Sequence, residues 1–216
     1  MNSKEKILDE KRRGECFRLL AACFYKPHKP VFVQEKVFQN LTSLLEQVCP
    51  DAAPFSKKMA ESFLKCSEDE LTIEYAKLFV GPYELKAPPY GSVYLDEGKR
   101  VWGDSTMEVA AMYKKAGLSI DDDFKELPDH ISVEFEFMYY LIYKEIEALG
   151  KSEFGKASAF NEKQKVFLER FLKSWVPIFC SQLRDSTDNE FYVALANCVK
   201  CFLHPSQADQ TYPVSP

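Results

Sequence analysis

Histidine is scarce in this chain, with three copies in 216 residues, and no second histidine stands near His130 to make a metal or acid–base pair. Glycine-rich phosphate cradles are missing, as is a strand-to-helix nucleophile elbow. No stretch approaches the roughly 18 uninterrupted apolar residues a membrane-crossing helix needs, so stable membrane insertion is not expected. Positive charge is also short: 28 basic residues face 33 acidic ones, a net charge of -5. That balance argues against a nucleic-acid binder and leaves room for a basic peptide or protein partner. Seven cysteines make an odd set with one paired spacing, Cys198-Val-Lys-Cys201, and a tetrahedral zinc site needs a second pair. Dispersed through helical patterns, these thiols fit a reducing cytoplasm. The twin arginines Arg12 and Arg13 do not read as an export signal, because acids flank them and Arg18 interrupts the apolar run.

What the chain does have is apolar content at helical spacing. Hydrophobic residues make up 46% and charged residues 28%, the composition of one well-cored domain. The period predicts an all-α, single-domain bundle of about eight to ten helices over residues 1–203, with 204–216 as a flexible polar tail. A first helix runs from about Lys4 to Tyr25, and a second carries Val33, Val37, Leu41, Leu44, Leu45 and Val48 on one stripe. Phe55–Leu64 forms a third, and Ser67-Glu-Asp-Glu70 is a capping box that opens a fourth. Residues 80–103, with four glycines and three prolines, break the period and predict one long ordered loop, the place where function usually sits. Asp104 or Ser105 caps a helix ending at Gly117. The tightest stripe is Ile131, Phe135, Met138, Ile142, Ile146 and Leu149, with Gly150 as its stop. A seventh helix starts near Phe160 and is expected to kink or split at Pro177, and Asp188 caps the last.

Asp129, His130 and Glu134 open that tight stripe and admit several readings. Asp129 sits where a helix wants a cap. His130 and Glu134 fall one turn apart beside Phe137, on the flank of a half-buried groove. A structural reading makes them a satisfied pair bracing the loop. A metal reading lacks a third ligand, and a catalytic one lacks a positioning partner. A recognition reading uses carboxylates beside aromatics to hold an arginine-bearing peptide. The candidate carboxylates are Glu84, Asp96, Glu97, Asp129 and Glu134, near Tyr83, Tyr90, Tyr94, Trp102 and Phe137, with Asp121-Asp-Asp123 adding longer-range attraction.

The run "EYAKLFVGPYELKAPPYGSVYL", then "LPDHISVEFEFM", "FLKSWVPIF" and "FYVALA", resembles the TorD/DmsD family of chaperones for molybdenum-containing redox enzymes, from about Tyr75 to Ala196. The resemblance implies an all-helical, non-catalytic cytoplasmic protein without a cofactor or metal of its own. It implies binding of the twin-arginine leader and body of a molybdopterin oxidoreductase catalytic subunit, of the dimethyl sulfoxide or trimethylamine N-oxide reductase type, before export. Pro88, Pro89, Tyr90 and Ser92 match the family's proline loop, Asp129 and His130 its Asp-His pair, and Glu134 its next acidic position. Here Leu127 stands where many relatives carry proline. With Tyr83, Glu84, Trp102 and Phe137 these form the expected peptide surface. A NarJ-like assembly factor for a nitrate-reductase-type subunit is the nearest alternative. A small metal-dependent or redox enzyme built on His130/Glu134 or Cys198/Cys201, and a structural helical adaptor, are alternatives of other classes. A monomer, or a dimer exchanging C-terminal helices about Pro177, is expected.

Overall fold

In a computed structural model, residues 3–81, 85–118 and 126–205 are described. α1 (Ser3–Ala22) packs on α3 (Val37–Val48) and most extensively on α8 (Ile131–Gly150). α8 in turn packs on α9 (Phe154–Phe167), while α4 (Ala53–Lys65) and α10 (Lys173–Asp185) flank α11 (Glu190–Leu203). Of the remaining helices, α2 (Lys29–Gln34) packs on α3, α5 (Glu68–Tyr75) follows α4, and α6 (Ser92–Leu95) contacts both α10 and α7 (Asp104–Lys115). Among the described residues no strand forms; a single isolated bridge joins Tyr90 to His130. The all-α, single-domain bundle read from the period is therefore the observed fold.

Aromatic rings fill the centre. Phe17, Phe24, Phe135 and Phe179 meet edge to face or tilted in one cluster, and Phe32, Phe38, Phe63 and Phe191 in another. Each such ring, once fully buried, contributes about 2–3 kcal/mol of transfer free energy.

Local chemistry moved several boundaries. Ser67 and Glu70 form the reciprocal capping box as expected. The second helix is two: Lys36, in the left-handed region at φ 51°, separates α2 from α3 and leaves Val33 half exposed. Gly150 does not stop α8 through a left-handed turn; Ser152 adopts positive φ two residues later. Pro177 sits inside α10 without ending it. The irregularity comes earlier, as a widened π turn over Leu168–Leu172 that resets the ladder just before Lys173, whose carbonyl the proline cannot bond. α9 and α10 thus run on as one rod. Asn189, not Asp188, caps α11 by accepting from the Phe191 amide. At α7 the cap comes from outside: Asp96 accepts from the Ser105 amide and hydroxyl, at 3.2 and 2.9 Å. A Cβ on Gly103 would run into that carboxylate, so a side chain there would have to displace the cap.

Candidate functional site

The long loop returns to the bundle as a strap, residues 88–92, laid along the entrance of α8. The Ile131 amide donates to the Pro89 carbonyl at 2.9 Å, and the Gly91 amide to the Asp129 carbonyl at 2.9 Å. Asp129 Oδ2 accepts from the Ser92 amide at 2.8 Å and so serves the first turn of α6, not of α8. The α8 cap is His130, whose Nδ1 accepts from the Ser132 amide at 3.3 Å and from the Ser132 hydroxyl at 2.6 Å. Two donors at Nδ1 fix the neutral tautomer with its proton on Nε2, which faces Glu126 at 3.9 Å. Tyr25 stacks on the ring and Tyr90 meets it edge-on. Burial among these rings pushes the imidazole pKa down to about 4.

Glu134 is fully buried, and its partner is not His130. Its Oε2 accepts from the Trp175 indole at 2.9 Å, across 41 residues of sequence. Desolvation raises its pKa well above the ordinary carboxyl value, against the indole bond, with Asp129 adding to the rise. Gly91 lets the strap come this close: a Cβ there would stand 3.1 Å from the Trp175 nitrogen. Glu134 Oε1, Asp129 Oδ1 and Ser92 Oγ are buried without a hydrogen-bond partner among the described residues. The His130–Glu134 pair and the half-buried groove expected beside it are therefore corrected. Each side chain takes a different partner, and both lie inside the protein because the strap covers them.

The remaining expected residues divide by exposure. Phe137 is buried against Tyr113, Tyr140 and Phe167 and belongs to the core. Pro88 and Tyr90 are part-buried, with the Pro88 carbonyl accepting from Tyr94 at 2.9 Å and the Tyr90 hydroxyl donating to Glu126 at 3.2 Å. Trp102 is 58% exposed and holds φ 71°, an unusual conformation for a bulky side chain. Tyr83, Glu84 and Asp121–Asp123 lie outside the described residues. Among the described residues no group of three His, Cys, Asp or Glu could hold a metal ion.

Beyond the strap, the same loop opens two grooves. One, of 590 Å³, is lined by Leu85, Pro88, Val93, Tyr94, Val101 and Ile178, with Asp96, Lys99 and Gln182 at its edge. The other, of 600 Å³, carries Asp96, Glu97 and Asp104 against Arg100, with Trp102 and Met107 beside them. Asp96 is common to both. Ile178, on α10, is 55% exposed, and neither it nor Val101 was singled out by sequence. Trp175 was visible only as the residue two before Pro177, since no periodicity links it to Glu134.

The chain is similar to several known proteins. The family model described as nitrate reductase delta subunit matches residues 39–181. A chaperone protein TorD from Photobacterium profundum is 28% identical over 158 residues, 69% of this chain and 72% of that one. A perchlorate reductase assembly chaperone protein from Dechloromonas aromatica is 28% identical over 179 residues, covering 80% and 76%. A Tat proofreading chaperone DmsD from Salmonella typhi is 27% identical over 198 residues, covering 92% and 90%. A crystal structure of a candidate redox enzyme maturation protein from Archaeoglobus fulgidus shares the fold, with a TM-score of 0.54 and 23% identity over 89% of this chain and 93% of that one.

Proposed function

Because the chain belongs to the nitrate reductase delta subunit family, we propose that it is a non-catalytic cytoplasmic chaperone for a molybdoenzyme, binding the twin-arginine signal peptide of the apo catalytic subunit and assisting cofactor loading before export. The names of its relatives support that role: two are chaperones called TorD and DmsD, and a third assembles perchlorate reductase. The client is of the dimethyl sulfoxide or trimethylamine N-oxide reductase type.

The observation that carries the reading is the pair of grooves meeting at Asp96. A twin-arginine leader presents guanidinium groups followed by an apolar run. Glu97 and Asp104 beside the exposed Trp102 offer carboxylates and an indole face for arginine, and Val93, Val101 and Ile178 offer an apolar bed for the run. Pro88 lines the apolar groove, while Tyr90 packs on His130 within the strap. Asp129, His130 and Glu134 act from beneath, by holding the strap. Calorimetric titration with a synthetic twin-arginine leader tests the proposal. Micromolar or tighter binding, weakened by Trp102→Ala and Ile178→Asp, is the expected result. Failure of the wild-type protein to bind any leader of the organism's molybdoenzymes would overturn it.

The family description and the perchlorate reductase relative favour a second reading, a NarJ-like factor for a nitrate-reductase-type subunit. Replacing the peptide's arginines by lysines separates the two, because only the twin-arginine reading predicts a large loss. The protein acts as a monomer or as a dimer exchanging C-terminal helices, which sedimentation distinguishes.

A further inference from the structure

The spacing Cys198-Val-Lys-Cys201 suggests a sulfur pair within one helix, but α11 separates the two. Cys198 is fully buried, its thiol directed at the Ala52 carbonyl at 3.8 Å. Cys201 lies on the half-exposed side and meets Cys49, the residue that ends α3. The Cys49 thiol donates to the Cys201 carbonyl at 3.8 Å, which sets the two cysteines side by side. Both cysteines are free, although 152 residues of chain separate them. Cys49 also forms part of the wall of a cleft of about 190 Å³, floored by Phe17 and Phe202, with Arg13 and Lys173 among its lining residues. Solutes therefore have a route to a thiol that bulk solvent hardly reaches.

We propose that Cys49 and Cys201 form a thiol–disulfide modification site, at which an anionic low-molecular-weight disulfide entering between Arg13 and Lys173 oxidises the pair and clamps the end of α3 to the last turn of α11. In the first step the Cys49 thiolate attacks one sulfur of the oxidant. A mixed disulfide forms, the oxidant's S–S bond breaks, and one small thiolate leaves. In the second, the Cys201 thiolate attacks Cys49 Sγ and expels the other small thiolate. The protein gives up two protons and two electrons, and the oxidant becomes two thiols.

Burial raises the Cys49 thiol to about 11, with Cys201 and Asp51 adding to the rise, and burial raises Cys201 as well. Thiolate is accordingly scarce at neutral pH, and the exchange accelerates by up to about tenfold per pH unit below that range. The cations facing the cleft are partly committed, Arg13 to Glu10 and Lys173 to Glu169, so attraction of the anion is moderate and salt-sensitive.

The experiment is incubation of the full chain with oxidised glutathione at mildly alkaline pH, followed by thiol counting, intact mass and peptide mapping. The expected product has two of the seven thiols lost, two hydrogens fewer, a peptide bridge from Cys49 to Cys201, and a midpoint of thermal unfolding raised by about 5–10 °C. Cys201→Ser should instead trap one glutathione on Cys49, and Cys49→Ser should yield no bridge. A persistent glutathione adduct on the wild type, a Cys198–Cys201 bridge, or seven intact thiols after prolonged treatment would each overturn the proposal. Leader binding is not a readout here, so the outcome is independent of the chaperone assignment.

Discussion

The two halves of the long loop are built on opposite terms. Residues 88–92 are tied down by backbone bonds to α8, and beneath them lie a neutral histidine, an acid that favours its proton and a buried indole. Residues 93–103 expose Val101, Trp102, Glu97 and Lys99, and two of these, Lys99 and Trp102, adopt positive φ. The residue types that suggest chemistry, Asp-His and the following Glu, lie beneath the quiet half. Less conspicuous apolar and acidic residues occupy the open one. A buried ionisable group is thus evidence for a position that must be held, and exposure decides whether it also touches anything.

Removing the indole should break the contrast most severely. Trp175→Ala opens a large cavity under the strap and strips Glu134 of its donor, so a loss of about 4 kcal/mol is expected in denaturant titration. Leader affinity should fall with it. Acidification comes next. His130 is neutral in the fold down to about pH 4, whereas the unfolded chain takes a proton near 6.5. Its contribution is whole above pH 6.5 and is lost as pH falls toward 4, by about 3 kcal/mol. His130→Asn keeps a cap acceptor and should flatten that slope, as measured by unfolding across the same pH range.

Glu134 works in the opposite direction. Its native pKa is raised, so its stabilising effect is present below the unfolded value of 4.5 and is lost as pH rises above it. Glu134→Gln, which carries no proton to lose, should equal or exceed wild-type stability at neutral pH. Glu134→Ala leaves the Trp175 N–H unpartnered and should cost about 2 kcal/mol; equal midpoints for the two variants would refute this account of the indole bond. The smallest effect on the fold belongs to the open half. Trp102→Ala should shift the unfolding midpoint by less than about 2 °C, because surface substitutions stay within a few tenths of a kcal/mol. The same change should weaken leader binding by about tenfold, or 1.4 kcal/mol.

Helical class and the long loop were legible because both leave local signals, a period of 3.6 and a block of glycine and proline. The capping box at Ser67 and the stop at Gly117 were read correctly for the same reason. Pairings were not legible. Asp129 looked like a cap for the helix it precedes, yet it serves a turn 37 residues earlier, and His130 took the vacated role. Phe137 sits on the flank of α8 and was assigned to the groove, but α7 and α9 cover that flank with Tyr113 and Phe167. Val101 and Ile178 carry no motif, and they line one groove only because α10 returns alongside the loop.

The fastening of that loop also fixes a time order. The Lys86 carbonyl accepts from Gln182 and Ser186, residues 96 and 100 positions later, and the strap waits for Asp129 and then for Trp175. During synthesis the loop leaves the ribosome long before anything exists to hold it. Its clasp is delivered by the final third of the chain, so a nascent chain ending before α10 presents these residues without the surface they build. Folding of this loop therefore lags behind its synthesis by the 96 to 100 residues that separate Lys86 from its fastenings.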